Sequence, residues 1–415
     1  MRSLILLAAL LMPASAHAQA IDPATKARID RILKATPLID GHNDLPWALR
    51  QDFALSVDGL ESGTVSRTPP LMTDMARLRA GRVGGQLWSV YISGTITGDE
   101  AIRTTVEQID AARRIIHAYP QHLQMASSAD DLVRIHRSGR IGSMLGMEGG
   151  RQINASMAAL RQFHELGVRY MTLTHNQTTD WADAATDQPK HDGLAPFGLK
   201  VVQEMNRLGM LVDLSHVSVA TARDAIGASR APVIFSHSDA YALNPHPRNV
   251  PDDVLRLLPA NGGVMMVTFV PAFLAPASWA WGRERSAQEA RLKSLYSFDM
   301  DRVARELKSW EATNPPPVLS VAAVADHIDH VARIAGHDHV GIGGDLDGID
   351  FTVPGLGGAD GYPNLFAELI RRGWSDANLA KLAGGNFLRA LRRAEAVSAS
   401  MKDVPPSLDK LTPAS

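Results

Sequence analysis

The feature that most constrains the fold of this chain is a unit that recurs along it. In each unit a short apolar run is followed by a polar or glycine-rich break and then, in most cases, by a helical pattern. The apolar runs lie at residues 37–40, 85–92, 141–147, 168–173, 210–214, 232–235, 263–269 and 339–343. Eight consecutive strand-then-helix units favour an α/β fold, a (β/α)8 TIM barrel. A doubly wound open sheet is the alternative that this pattern alone leaves open.

Two stretches fall outside this repeating pattern. Residues 271–317 are rich in Trp, Arg and Glu and precede the eighth predicted strand, so we expect a helical insertion that forms a lid or an interface. From about residue 397 the chain is rich in Ser, Pro and Lys, and residues 397–415 are expected to form a flexible C-terminal tail. The sequence therefore predicts a single (β/α)8 domain over residues 21–396.

The first 20 residues have the pattern of a signal peptide. Arg2 supplies a positive charge, an apolar stretch follows at residues 4–12, and small residues suited to cleavage occur at 16–20. A buried N-terminal helix is the alternative. The stretch is shorter than the roughly 20 apolar residues that span a bilayer, and no later segment qualifies. We therefore expect a periplasmic or secreted protein without a transmembrane segment in its mature chain.

Composition excludes several kinds of partner and of metal ligand. The formal net charge is −2, which gives no sign of a nucleic-acid or anionic-membrane partner. The chain has no Cys, so it can form neither a disulfide nor a thiolate metal site. Any bound metal must be held by His, Asp or Glu. The oligomeric state stays open, with a homodimer as one option.

Three candidate metal ligands follow the first and third predicted strands. His42 and Asp44 are two residues apart, so their side chains project to the same side of the chain. Glu148 lies in a glycine-rich segment, and its two carboxylate oxygens allow it to bridge two ions. In a barrel, the C-terminal ends of the strands form the catalytic face. Taken singly, each motif has an ordinary alternative, namely a surface His-x-Asp triplet or a Glu that caps the next helix.

Two histidines, His216 and His237, directly follow the fifth and sixth predicted strands. Consecutive barrel strands are neighbours, so we expect the two imidazoles to converge, although a single histidine at a strand end is more often structural. Together the candidates indicate one ion held by His42, Asp44 and Glu148, and a second held by Glu148, His216 and His237. Five ligands for two ions leave positions open for a bridging water, as in catalytic metal sites.

A further carboxylate, Asp345, follows the eighth predicted strand within Gly-Gly-Asp-Leu-Asp-Gly (343–348). Its expected position beside the metal ligands suits a general base and acid. Asp347 is the alternative, and it is less favoured because Asp345 comes first after the strand.

These motifs together resemble those of the membrane (renal) dipeptidases, within the wider superfamily of metal-dependent amidohydrolases. The similar segments are Asp-Gly-His-Asn-Asp-Leu-Pro (40–46), Gly-Met-Glu-Gly (146–149), Leu-Thr-His-Asn (173–176), Asp-Leu-Ser-His (213–216), Ser-His-Ser (236–238), Arg-Asn-Val-Pro-Asp-Asp (248–253) and Gly-Gly-Asp-Leu-Asp-Gly (343–348). They occur in the family's order, and the resemblance extends from about residue 30 to about residue 395. Each motif alone is unspecific, but the combination is highly specific.

The resemblance implies two Zn2+ ions per chain. Their ligands are His42, Asp44, the bridging Glu148, His216 and His237. It further implies that His175 donates to the oxygen of the scissile bond, that Arg248 binds the C-terminal carboxylate of the substrate, and that Asp345 transfers the proton.

The chemistry of the side chain also supports a carboxylate-binding role for Arg248, because a planar guanidinium pairs with a carboxylate through two hydrogen bonds. The ordinary alternatives are a loop salt bridge from Arg248 to Asp252 or Asp253, and a core histidine at His175. The chain also departs from animal members of the family: it has no disulfide and no lipid anchor, its segment before the eighth strand is longer, and Phe273 replaces a Tyr near the substrate. These differences bear on side-chain preference and leave the metal ligands in place.

The activity that the resemblance implies is hydrolysis of dipeptides, including L,D-dipeptides, by a metallo-dipeptidase with a zinc-activated water. One alternative is another amidohydrolase, such as a deacylase of N-acyl amino acids or a β-lactam hydrolase, with the same metals. A second is a non-catalytic binding protein that keeps the barrel. A broken ligand set favours the binding protein, whereas here all five ligand positions and Asp345 are present.

Overall fold

The computed structural model describes residues 21–411 of the 415. The predicted signal peptide at residues 1–20 lies outside the described residues and stays a prediction. Within residues 21–411, no helix is long and apolar enough to cross a membrane.

Parallel strands form a closed barrel at the centre of the described chain. The strands are β1 (Leu38–Asn43), β2 (Val83–Tyr91), β3 (Leu123–Met125), β4 (Ile141–Glu148), β5 (Val168–Thr172), β6 (Leu211–Asp213), β7 (Val233–Ser238), β8 (Val264–Val267) and β9 (Val340–Ile342). Their order is β2-β1-β9-β8-β7-β6-β5-β4-β3, and an additional pairing of β2 with β4 closes the ring. The eight-stranded parallel barrel confirms the predicted TIM barrel and rules out the open sheet.

The short strand β3 was not predicted from the sequence. It pairs with residues 141–143 at the start of β4, whereas β5 pairs with residues 145–148 further along the same strand. β3 is therefore an appendix to the eight-stranded ring. Its three residues are too few to show a strand periodicity.

Helices surround the barrel and join its strands. They are α1 (Pro23–Ala35), α2 (Leu45–Asp52), α3 (Met75–Ala80), α4 (Gly98–Ala118), α5 (Ala129–Arg137), α6 (Met157–Glu165), α7 (Pro196–Leu208), α8 (Val219–Ala228), α9 (Asp252–Leu255), α10 (Leu258–Asn261), α11 (Pro271–Leu274), α12 (Pro276–Leu295), α13 (Met300–Thr313), α14 (Val321–Ala335), α15 (Tyr362–Arg371), α16 (Asp376–Ala380) and α17 (Asn386–Ser400). Single 3-10 turns lie at Thr64–Ser66, Gly150–Ile153 and His337–His339, and a π turn at Lys381–Gly385 leads into α17.

Local sequence signals set the ends of several of these helices. Ser218 begins α8, and its hydroxyl accepts a hydrogen bond from the backbone N–H of Thr221, as expected of a good N-cap. Pro196 opens α7, and Gly209 ends it in the left-handed conformation that favours glycine. These local signals fix where α8 begins and where α7 begins and ends.

The predicted insertion before the last barrel strand is helical. It consists of α11, α12 and α13, and α12 packs against α13 through a small apolar cluster of Leu292, Val303 and Leu307. At the other end of the chain, α17 runs beyond the predicted domain boundary at residue 396 and ends at Ser400. After it, the carbonyl of Ser407 accepts a hydrogen bond from Arg161.

The barrel interior is filled by large side chains that alternate with glycines. Tyr170 on β5 is fully buried, and its hydroxyl donates to the carbonyl of Gly41 on β1 across the barrel. The tip of this ring lies directly against Gly146 on β4, where a Cβ atom would overlap the ring carbons and the hydroxyl. Gly146 therefore makes room for Tyr170 immediately below the rim.

We expect Gly146→Ala to destabilise the barrel, because the added methyl group must displace a buried aromatic ring. Overpacking of this kind costs about 1–3 kcal/mol. Denaturant unfolding of the variant and the wild type measures the loss. Gly227→Ala is the matched control, because this helical glycine on α8 has open space around its Cβ position and should gain about 0.5–1 kcal/mol. Equal stability of Gly146→Ala and the wild type would contradict the packing account.

Candidate metal centre

The barrel brings all five predicted metal ligands together at the C-terminal ends of its strands. His42 lies in β1 and Asp44 just after it, Glu148 is the last residue of β4, and His237 lies in β7. His216 follows β6 by three residues. The side chains of all five are nearly or fully buried.

Glu148 lies between two sets of histidine nitrogens. Its Oε2 is 3.4 Å from Nε2 of His42, and its Oε1 is 3.0 Å from Nε2 of His216 and 3.4 Å from Nε2 of His237. Its Oε2 also accepts a 3.2 Å hydrogen bond from Ser89. Because the two oxygens face different partners, Glu148 is placed as a carboxylate that can bridge two cations.

The spacing of the ligand atoms fits a cation better than it fits hydrogen bonding alone. Groups of ligand atoms within 4.8 Å of one another include His42, Glu148 and His237, then Glu148, His175 and His216, and also His42, Asp44 and Asp345. Nε2 of His42 and Oδ1 of Asp44 are buried without a hydrogen-bond partner. Buried polar atoms are normally paired, so these atoms are explained by a ligand that they both bind. The nitrogen and oxygen donors are those that Zn2+ accepts.

The electrostatics of the cluster also favour a bound cation. Burial alone would lower the pKa of His42, but the carboxylates of Glu148 and Asp44 raise it well above its ordinary value. Burial opposes ionisation of Glu148, yet His42 and the hydrogen bonds from the histidines hold its pKa well below the usual range. The site therefore stabilises positive charge beside an ionised Glu148.

The other two histidines are held in the neutral form that metal ligands require. Burial lowers the pKa of His237 to about 3. Burial, followed by the charges of Arg248 and His175, lowers the pKa of His216 well below its ordinary value. Both rings therefore present a lone pair rather than a proton to the centre.

Hydrogen bonds to the outer nitrogens fix which ring nitrogen carries that lone pair. Nδ1 of His216 is 3.1 Å from Oδ1 of Asn176, to which it donates. Nδ1 of His237 is 2.8 Å from Oγ of Ser236, and that hydroxyl donates at 2.6 Å to the buried carboxylate of Asp213. Since Ser236 gives its only proton to Asp213, it must accept from His237. Both Nε2 atoms are then left free to bind a metal.

We expect Asp213→Asn to weaken metal binding about tenfold, because outer hydrogen-bond partners orient metal ligands. The amide keeps the size of Asp213 but weakens the two consecutive hydrogen bonds that connect residue 213 through Ser236 to His237. Competition with a zinc chelator measures the affinity. Thr172→Val is the matched control, since it removes a different hydrogen bond to the same carboxylate, of 2.6 Å, and leaves the hydrogen bonds of Ser236 and His237 in place. An affinity unchanged in Asp213→Asn, or lowered equally in both variants, would contradict the orienting role.

A cavity of about 750 Å3 opens directly above this cluster. Its walls include Asp44, Trp47, Tyr91, Glu148, His175, Asn176, Gln177, His216, His237, His246, Arg248, Phe273 and Asp345. Seven of the eight predicted site residues therefore line one cavity. The eighth, His42, lies deeper, with its Nε2 3.2 Å from Oδ2 of Asp44.

Arg248 is a buried cation with unused hydrogen-bond donors. It is 5% exposed, its only hydrogen bond from the guanidinium to the described residues is a 3.4 Å contact with the carbonyl of His237, and its Nε is unpartnered. Burial lowers the pKa of Arg248 to about 10, so it stays charged near neutral pH. The loop salt bridge is not formed, since Asp252 pairs with His330 and Asp253 with Arg223. Arg248 is thus placed to bind an anion that enters the cavity.

His175 is not a satisfied core histidine. Its Nε2 lies 3.8 Å from Oε1 of Glu148 and its ring stacks between Tyr91 and His216, with centroid distances of 4.7 and 4.3 Å. Burial lowers the pKa of His175. A neutral ring at the cavity wall can donate one hydrogen bond to a bound molecule.

The two candidate aspartates after β9 have different surroundings. Asp345 lines the cavity, and its Oδ1 is 3.9 Å from Nε2 of His42. Burial, with the charges of Asp44 and Glu148, raises the pKa of Asp345 well above its ordinary value. Asp347 instead accepts a 2.6 Å hydrogen bond from the backbone N–H of Met72. The geometry therefore favours Asp345 for proton transfer and gives Asp347 a structural contact.

The backbone holds Asp345 in its position. Its N–H donates to the carbonyl of His42, and the N–H of Asp44 donates to the carbonyl of Leu346. Asp345 and His216 both have positive φ, 60° and 70°, a conformation that costs energy for residues other than glycine. Such strained residues cluster at functional sites, where the surrounding structure imposes them.

Several cavity residues were missed in the sequence. Tyr91 ends β2 and lines the cavity, and Ser89, two residues earlier, contacts Glu148 below it. No site residue was predicted in this strand, although side chains two residues apart point to the same side and could have identified the pair. Burial raises the pKa of Tyr91 to about 12, so it remains a neutral donor. Trp47 lies in α2, whose eight residues are too few to show a clear helical periodicity, and His246 lies in a loop.

A TIM barrel with this cluster at its C-terminal rim is typical of metal-dependent hydrolases, and comparison with known proteins identifies the family. The family described as Membrane dipeptidase (Peptidase family M19) matches residues 26–404. The chain is 39% identical over 384 residues to Dipeptidase verJ of Clonostachys rogersoniana, covering 90% of this chain and 88% of that protein. The chain therefore belongs to the membrane dipeptidase family, whose members are peptide-bond hydrolases, as the sequence motifs indicated.

Solved structures support the same fold. The probable dipeptidase PvdM from Pseudomonas aeruginosa superposes with a TM-score of 0.75 at 25% identity, covering 91% of this chain and 100% of that one. A metallo peptidase from Rhodobacter sphaeroides, solved with a phosphinate mimic of the dipeptide L-Ala-D-Ala, superposes with a TM-score of 0.70 at 22% identity. The superposition covers 87% of this chain and 99% of the Rhodobacter sphaeroides chain.

Proposed function

We propose that this chain hydrolyses free dipeptides at a centre of two zinc ions. The observation that carries the proposal is the combination, in one cavity, of a cluster of metal-ligand atoms around Glu148 and a buried guanidinium with unused donors at Arg248. The first suits hydrolysis of an amide, and the second suits a substrate with a free carboxylate close to that amide.

The five residues His42, Asp44, Glu148, His216 and His237 would hold the metal ions, with Glu148 between them. Zinc bound there would supply a water of lowered pKa and a Lewis acid for the carbonyl oxygen. The neutral ring of His175 donates a hydrogen bond to the same oxygen and stabilises the negative charge that develops on it.

Asp345 moves the proton in this proposal. Its carboxylate takes a proton from the attacking water and delivers it to the leaving nitrogen, so one residue serves as base and then as acid. The raised pKa of Asp345 supports the second role, because a carboxyl group that holds its proton more tightly stays protonated closer to neutral pH. The 3.9 Å distance between its Oδ1 and Nε2 of His42 supports a position beside the five proposed ligands.

Arg248 limits the size of the substrate. Its guanidinium is fixed at the cavity wall by burial and by the ring of Phe273, whose centroid is 5.3 Å from Cζ. A carboxylate bound there lies at a constant distance from the metal ligands, so one residue fits between the scissile bond and the free C-terminus. Longer peptides place their carboxylate out of reach and are expected to be poor substrates.

We also propose that dipeptides with a D-residue at the C-terminus are accepted. The ligands hold the attacking side of the scissile bond, and they do not contact the side chain of the C-terminal residue. Similarity in fold to the Rhodobacter sphaeroides peptidase, whose structure holds the L-Ala-D-Ala mimic, supports this extension.

The test is hydrolysis of a substrate panel with and without added zinc. We expect L-Ala-L-Ala and L-Ala-D-Ala to be cleaved in a zinc-dependent manner, and L-Ala-L-Ala-L-Ala to be cleaved poorly. Faster cleavage of N-acetyl-L-alanine than of any dipeptide would contradict the proposal and identify a deacylase. Cleavage of none of these substrates by the zinc-loaded protein would also contradict it.

A further inference from the structure

A second cavity of about 570 Å3 adjoins the candidate active site. It lies between helix α12 of the insertion and the loop that follows β9. Three residues, Val270, Gly348 and Ile349, line both cavities, so the two adjoin along this boundary. The second cavity is therefore the neighbouring space for a group that extends from the metal centre on this side.

The boundary between the two cavities lies at the carboxylate side of the metal centre. Gly348 is packed so closely against Asp44 and Asp345 that a Cβ atom there would collide with both carboxylates. In a dipeptide anchored at Arg248 by its C-terminal carboxylate, the end that carries the free ammonium lies furthest from Arg248. An ammonium group is attracted to carboxylates, so the N-terminal residue of the substrate is the one that faces this boundary.

The walls of the second cavity are mainly apolar. They include Val270, Trp281, Pro316, Pro317, Leu319 and Phe351. Trp281 is held in place because its Nε1 donates a 2.7 Å hydrogen bond to the carbonyl of Asn314 and its ring meets that of Phe351 edge to face at 4.9 Å.

The one cation in the wall is neutralised. Arg285 pairs with Glu311 at 2.6 Å and with Glu289 at 3.6 Å, and its guanidinium lies over the ring of Phe351. An apolar side chain that enters this space therefore meets no unpaired cation, and the one carboxylate in the wall, Asp350, is exposed to solvent. The cavity favours an uncharged apolar or aromatic group over an acidic one.

We propose that this second cavity binds the side chain of the N-terminal residue of the dipeptide, and that it selects large apolar and aromatic side chains. The inference rests on the proposed dipeptidase function and adds its side-chain preference. Burying a side chain of the size of Phe or Leu stabilises a complex enough to raise kcat/KM about 10- to 100-fold over a substrate with glycine at that position.

Gly282 offers a way to fill this cavity without disturbing the fold. It lines the cavity from α12, and a Cβ atom there would have no neighbour within 4 Å. Replacing a helical glycine also favours the helix. Gly282→Trp therefore places an indole in the open space, where it competes with the substrate side chain.

The experiment compares kcat/KM for L-Phe-L-Ala and Gly-L-Ala in the zinc-loaded wild type, in Gly282→Trp and in Gly227→Trp. We expect the wild type to prefer L-Phe-L-Ala about 10- to 100-fold, and Gly282→Trp to lose about tenfold or more of that preference. Gly227→Trp is the matched control, because Gly227 is also helical with open space around it but lies on α8. It should keep the wild-type preference.

A second pair of substrates, L-Ala-L-Phe and L-Ala-Gly, tests which residue of the dipeptide enters the cavity. Their ratio should be the same in the wild type and in Gly282→Trp. If Gly282→Trp changes the ratio for L-Ala-L-Phe and L-Ala-Gly but not the ratio for L-Phe-L-Ala and Gly-L-Ala, the proposed subsite is wrong. It is also wrong if the variant changes neither ratio. In both cases the proposed dipeptide hydrolysis is unaffected. If the wild type cleaves none of the four dipeptides, the proposed function and the subsite fail together.

Discussion

Replacing Asp345 with Asn is expected to lower kcat about 100- to 10,000-fold, because an amide cannot carry the proton from water to the leaving nitrogen. The substitution should leave the metals bound, since we propose that Asp345 lies beside the five ligands and is not one of them. Dipeptide hydrolysis and elemental analysis of the same sample measure the two effects.

The backbone should tolerate this change. Asp345 has a φ of 60°, and Asn adopts the left-handed conformation about as readily as Asp does. Asp347→Asn is the matched control, since Asp347 has a similar φ of 64° but faces the backbone of Met72. If Asp345→Asn stayed within a few-fold of the wild type while Asp347→Asn lost activity, the assignment of the two aspartates would be reversed.

The second large effect concerns the carboxylate anchor. Arg248→Ala should lower kcat/KM for a free dipeptide about 10- to 100-fold, because a charge-assisted contact contributes roughly 1.5–3 kcal/mol. Capping the substrate carboxylate as an amide should cause a similar loss in the wild type, since it removes the other half of the same contact.

The two losses should not add when they are combined. Arg248→Ala acting on the amidated dipeptide lacks one contact, not two, so the double-mutant cycle should show a large coupling energy. Arg223→Ala is the control: Arg223 pairs with Asp253 on the surface and should show no coupling to the amide. Equal cleavage of free and amidated dipeptides by the wild type would contradict the anchor role and indicate a general amidohydrolase.

The barrel could be predicted because its signal is repeated. Eight apolar runs separated by helical patterns leave few alternatives, and short runs such as Leu211–Asp213 are recognisable because their neighbours set the spacing. β3 was missed because its three residues stand outside that repeat and pair only with the start of β4. The last helix, α17, continues to Ser400, past residue 397 where the tail was expected to begin, because a Ser-rich composition does not by itself end a helix.

The candidate ligands were predictable because each lies at or shortly after the C-terminal end of a strand and carries a metal-binding side chain. The residues that orient them were not. Asp213 and Ser236 lie inside apolar strands, where a small polar residue is commonly a core hydrogen-bonding group, and only the fold shows that they act on His237. The second cavity was likewise hidden, because Trp281 and Phe351 come from segments 70 residues apart that only the tertiary fold brings together.

The number of zinc ions per chain tests the central claim most directly. The protein is stripped with a chelator, titrated with Zn2+, freed of unbound metal and assayed for metal content and for hydrolysis of L-Ala-L-Ala. We expect about two ions per wild-type chain, about one in His237→Ala, and recovery of hydrolysis with zinc, because Glu148 joins two overlapping ligand sets. Saturation at one ion or fewer in the wild type, or full hydrolysis by the stripped protein, would contradict the binuclear centre.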